Sequence, residues 1–171
     1  MSGLIMGILT LLGWVTAYVL IIRRGFLEKT YGVPMVALAG NIVWEFLFAF
    51  FIRPPGSELI NLWAIINVIW FGIDVVIFWQ MLKFGVNEAW PSKRFFYSSI
   101  VIAVIFALGA ELAITYQLND WEGQYSSFID NLLMSVLFIN MLYHRGVKGQ
   151  SVYIAISKLI GTLAISIDYL V

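Results

Sequence analysis

The chain has 171 residues, of which 61% are hydrophobic and 12% are charged, against about 45–50% apolar and about 25% charged in an ordinary soluble domain. Ten basic and ten acidic residues leave no net charge, so a nucleic-acid footprint has no support. With no cysteine and one histidine, a disulfide scaffold, an iron–sulfur cluster, a thiolate zinc site and a multi-histidine metal centre are all excluded.

A helix needs about 20 mostly apolar residues to cross roughly 30 Å of hydrocarbon, and six segments qualify. The first covers about 4–22 and stops at Arg23-Arg24. It lacks a basic leader and a clear small-residue cleavage site, so it is expected to be a retained helix, not a signal peptide. The second covers about 33–52 and stops at Arg53-Pro54-Pro55, whose prolines cannot continue a helix. The third covers about 59–82 and leads into a polar connection, 83–94, that contains Pro91. The fourth, fifth and sixth cover about 95–116, 125–143 and 152–170. The expected fold is all-α, a polytopic membrane bundle of six transmembrane helices forming one domain over 1–171. Short connections make neighbouring helices antiparallel.

Basic residues are distributed unevenly. The first, third and fifth connections hold Arg23, Arg24, Lys29, Lys83, Lys93, Arg94, Arg145 and Lys148, whereas the second and fourth hold only Arg53. The positive-inside rule therefore puts the odd connections in the cytoplasm, with the N-terminus outside the cell membrane.

Ionisable groups within the spans are costly and face cavities or partners. Lys158 and Asp74 fall at compatible depths in the inner half, which suggests an interhelical ion pair. Asp130 and Asp168 lie near the outer interface, where solvated or capping roles suffice. Glu111 lies about a turn from the outer end of its helix, within partial reach of water. Glu45 is deeper, flanked by Trp44 and Phe46, with Asn41 one turn earlier on the same face. Burial in an apolar cavity favours the neutral form of a carboxyl group, and a neutral acid is a ready proton donor. The alternative is that Glu45 hydrogen-bonds across helices as packing glue. On the third helix, Trp63, Asn67, Trp70 and Asp74 share one face, and Trp70 is too deep for an interfacial belt. A cavity with such walls suits a long apolar ligand, and ring faces stabilise positive charge.

The stretch from Ala37 to Phe46, with its Asn41-Ile42-Val43-Trp44-Glu45 core, resembles the second-helix signature of the small integral-membrane terpene cyclases. These belong to fungal meroterpenoid and indole-diterpene pathways and have bacterial relatives. Further similarity lies in Leu82-Lys83-Phe84-Gly85, in Asn87-Glu88-Ala89-Trp90, and from His144-Arg145-Gly146 to Lys158-Leu159-Ile160-Gly161-Thr162. The resemblance implies an enzyme of isomerase or lyase type that protonates an epoxide or alkene of a polyprenyl or meroterpenoid substrate to start cation cyclisation. It also maps the family's second-helix acid onto Glu45, with Asn41 as its orienting neighbour. Trp44, Trp70, Asn67 and Glu111 are the candidate substrate-binding residues. No Asp-rich diphosphate–magnesium motif is present, and no metal or cofactor is expected. The family has seven helices with a second functional acid in the seventh, to which Asp168 does not correspond. Two other readings stay open: a small membrane transporter or ligand-binding protein with a proton path through Glu45, Glu111 and Asp74, and a structural subunit whose acids pair with another protein.

Overall fold

The computed structural model describes residues 2–53, 60–88 and 90–169. Six helices follow one another: α1 (Ser2–Glu28), α2 (Met35–Phe50), α3 (Ile60–Phe84), α4 (Lys93–Leu118), α5 (Gln124–Arg145) and α6 (Val152–Asp168), with a single 3₁₀ turn at Gly85–Asn87. Pro54-Pro55, Leu59, Ala89 and the residues after 169 lie outside the described residues, as does the side chain of Trp63.

By length and composition α1, α3, α4 and α5 are each long and apolar enough to cross a membrane. At 16 and 17 residues, α2 and α6 rise only about 24–26 Å at 1.5 Å per residue. The shorter α2 is the middle of the bundle, packed on α3, α4 and α5, while α6 packs mainly on α1. The outer faces are apolar: Leu12, Ile102, Phe106, Ile139 and Leu159 are all exposed, as expected of surfaces solvated by lipid tails.

Helix ends are set by local chemistry that hydropathy does not see. α1 does not stop at Arg23-Arg24 but runs to Glu28, because basic residues do not end a helix and an ion pair spans the last turn. There Arg24 pairs with Glu28 at 2.8 Å. Lys29 then takes a left-handed conformation (φ 48°) and the Thr30 amide donates to the Gly25 carbonyl, closing the helix. Ser92 and Ser151 cap α4 and α6 by accepting from the Phe95 and Ile154 amides. Asp120 accepts from the Tyr125 and Ser126 amides at 3.0 and 2.8 Å, which binds the start of α5 to the preceding turn.

Two apolar clusters form the core. The larger gathers Ile21, Tyr31, Val33, Met35, Met81, Phe96 and Ile154 toward the end of the bundle that carries the basic connections. The smaller packs Val43, Leu47, Phe48 and Ile52 of the α2 segment with Ala107 of α4. At the basic end the first, third and fifth connections are tied together. Arg145 donates to Glu88 Oε1 at 2.5 Å and to Thr30 Oγ1 at 2.6 Å, and its guanidinium lies 4.3 Å from the Tyr31 ring centre. Burial pushes the Tyr31 hydroxyl above the usual tyrosine pKa, with Arg145 opposing.

Candidate active site

α1, α2, α3, α5 and α6 line a half-open cavity of about 300 Å³, near the lower end of the range of about 300–1,000 Å³ for small-molecule sites. Helical spacing selects its walls. α1 contributes Thr10, Trp14 and Tyr18, α2 contributes Asn41, Trp44 and Glu45, and α3 contributes Ile66, Asn67 and Trp70. Ser127, Phe128, Asp130, Asn131 and Met134 come from α5, and Ile165 and Tyr169 from the α6 end.

Glu45 is 6% exposed, and its Oε2 has no hydrogen-bond partner among the described residues. Asn41 lies one turn away, but its amide is committed elsewhere. It donates to Tyr18 Oη at 2.8 Å and to Asp74 Oδ2 at 2.6 Å, which joins α1, α2 and α3. Asp74 is fully buried, with Oδ1 unpartnered. Trp44 is held from outside the cavity: its Nε1 donates to Ser126 Oγ at 2.9 Å, and that hydroxyl donates to Asp120 Oδ2 at 2.8 Å. Its ring stacks on Phe48 at 4.6 Å. Gly123, with φ +72°, leaves room for it, since a Cβ there would lie 2.6 Å from Trp44 Cζ2. Tyr18 sits 5.3 Å from Trp70 and 6.0 Å from Trp14, centre to centre. Three rings from two helices thus form one aromatic wall.

Five of the six residues singled out from the sequence (Asn41, Trp44, Glu45, Asn67 and Trp70) border this cavity. Glu111 does not. It is 3% exposed, because α4 packs on α2 and α5 and closes that side to water, and its carboxyl group lies beside that of Asp130. Asp130 is neither solvated nor a cap. It is buried on the cavity wall in a notch left by Gly40, where a Cβ would come within 2.8 Å of its Oδ1. Asp168 is exposed at the end of α6.

The expected Lys158–Asp74 pair does not form. Lys158 donates to Asn131 Oδ1 at 2.7 Å and Ser135 Oγ at 2.8 Å, and lies 5.2 Å from the Trp14 ring centre. Matching depth was a necessary condition only; α6 packs on α1, whereas Asp74 is held beside α2 by Asn41. Sequence reasoning passed over Trp14 and Tyr18, although two amphipathic aromatics one turn apart in an apolar helix were the available signal.

The chain is thus an integral-membrane helical bundle built around an acid-bearing, aromatic-walled cavity. Over residues 3–171 it matches the family described as Pyr4-like transmembrane terpene cyclases, and it belongs to that family. The Pyr4-family terpene cyclase mfmH of Annulohypoxylon moriforme is 30% identical over 157 residues, covering 88% of this chain and 62% of the relative. Terpene cyclase ascF of Acremonium egyptiacum is 31% identical, with 88% and 60% covered. Asnovolin H synthase nvfL of Aspergillus novofumigatus is 25% identical, with 94% and 66% covered. The chain spans about three fifths of the length of the first two of these curated relatives. No solved structure matches it.

Proposed function

We propose that this chain is a terpene cyclase whose reaction starts by protonation. Glu45 donates its proton to an epoxide or alkene of a polyprenyl or meroterpenoid substrate held in the cavity, and the resulting cation is guided through ring closure. The observation that carries this reading is a buried carboxyl group with an unpartnered oxygen on the wall of an aromatic cavity. Membership of a terpene cyclase family supports it. Trp44 and Trp70 wall the substrate and lend ring faces to the developing positive charge, Asn67 contributes polarity, and Asn41 holds the α2 face in register through Tyr18 and Asp74. Glu111 acts from behind the wall. The protein sits in the cell membrane with its N-terminus outside.

The test is product analysis of membranes supplied with epoxidised and plain polyprenyl substrates. Glu45→Gln keeps size and much of the hydrogen bonding but has no acidic proton, so cyclised product falls by about 10²–10⁴-fold or more while substrate binding persists. Glu45→Asp retains partial activity. A comparable rate in wild type and Glu45→Gln refutes the role of Glu45. A wild type that turns over no polyprenyl substrate refutes the cyclase and favours a transporter or ligand-binding protein.

A further inference from the structure

A cation that forms by gaining a proton ends as a neutral alkene only by losing one, and the cavity holds a second carboxyl group suited to take it. Resting on the cyclase reading above, we infer that Asp130 is the base that terminates the reaction and that Glu111 positions it.

Asp130 is 91% buried, given its 9% exposure, and borders the cavity from α5, on a different helix from Glu45. Its Oδ2 is fully buried and accepts from no N–H or hydroxyl donor among the described residues. Behind it stands Glu111 of α4, in hydrogen-bond contact with it. Two carboxyl groups in such contact share a proton. With that proton on Glu111, the pair presents Asp130 to the cavity as a carboxylate. The notch that receives Asp130 exists because residue 40 has no side chain.

The chemistry balances. Glu45 loses its O–H proton to the substrate: an epoxide C–O bond opens, or an alkene π pair forms the new C–H bond. Ring closure moves the positive charge along the chain. A C–H bond next to the last cationic carbon then breaks. Its electron pair becomes the C=C bond, and its proton passes to the Asp130 carboxylate. The product is an isomer of the substrate. Asp130 now carries one proton more and Glu45 one fewer, and proton exchange with water restores both groups with no net change.

The experiment compares products from membranes carrying the full chain and supplied with a terminally epoxidised farnesyl phenol. Asp130→Asn slows substrate consumption less than 10-fold but cuts the share of the wild-type alkene more than 10-fold, in favour of isomeric alkenes and water-quenched alcohols. Gly40→Ala, which favours the helix but crowds Asp130 Oδ1, shifts products the same way. Should Asp130→Asn fail to fold, Gly40→Ala and the Glu111 pair decide. Glu111→Gln still donates to Asp130 and stays closer to the wild-type ratio than Glu111→Leu. Wild-type product ratios in Asp130→Asn, or in Gly40→Ala together with both Glu111 variants, overturn the inference. Loss of consumption in Asp130→Asn as complete as in Glu45→Gln also overturns it, because Asp130 would then belong to initiation. In either case an inactive Glu45→Gln beside an active wild type leaves the cyclase reading standing. A wild type that consumes no such substrate overturns both.

Discussion

Replacing Arg145 with Met removes the group that ties three connections together. The guanidinium bonds Glu88 at 2.5 Å and Thr30 Oγ1 at 2.6 Å and lies over Tyr31 at 4.3 Å. Breaking a buried ion pair costs about 3–5 kcal/mol, mostly because the remaining charge is stranded. Here the two side chains keep 18% and 13% exposure, and Lys148, 3.7 Å from Glu88, takes up part of the charge. The lower end applies, about 3 kcal/mol for Arg145→Met, on the order of a hundredfold in the folded-to-unfolded ratio. Glu88→Met strands the guanidinium instead and costs a similar amount. With both replaced nothing is stranded, so the double variant loses no more than either single one, about 3 kcal/mol at most, and the coupling is about 3 kcal/mol. The assay is denaturant unfolding in detergent micelles followed by far-ultraviolet circular dichroism on the four proteins of the cycle. Additivity within about 0.5 kcal/mol would refute the argument that this contact holds the connections together.

Two further predictions concern the same framework. Lys158→Met, which leaves Asn131 Oδ1 and Ser135 Oγ without their charged donor, costs about 1–3 kcal/mol; combining it with Asp74→Asn gives additive losses in the same unfolding assay, and recovery in the double variant would restore the ion pair that depth alone suggested. Reporter fusions check orientation: one after Arg145 reads as cytoplasmic and one after Asp168 as external, and exchange of the two signals would overturn the charge-based topology.

Hydropathy made all six helices legible, because each apolar run stands out against polar connections, four of the five bearing basic residues. Their ends were less so. The last turn of α1 continues past Arg24 through an ion pair to Glu28 and ends only at a left-handed Lys29. Helical spacing put Asn41 with Glu45 and Asn67 with Trp70 on common faces, and those faces line the cavity. Spacing says nothing about which helix stands opposite. That is why Tyr18 escaped notice, why Lys158 was assigned the wrong partner, and why Asp130 was read as a surface group. Its burial depends on Gly40 of α2 and Glu111 of α4, far away in the chain.

The packing of α1 on α6 also bears on the order of assembly. α1 is made long before α6, yet it packs most extensively on that helix. Gly13 and Gly161 meet so closely that a Cβ at Gly13 would lie 2.5 Å from the Gly161 nitrogen. At about 5–20 residues per second, on the order of 10 s passes between synthesis of Tyr18 and of Ile165. Throughout that interval the face of α1 that packs on α6 is turned to lipid or the insertion machinery, although Tyr18 can already meet Asn41 and Trp70. The α6 part of the cavity wall does not yet exist. A ribosome-bound chain can therefore hold Glu45 in the bilayer without offering it an enclosed substrate. Reactive chemistry waits for the sixth helix to dock.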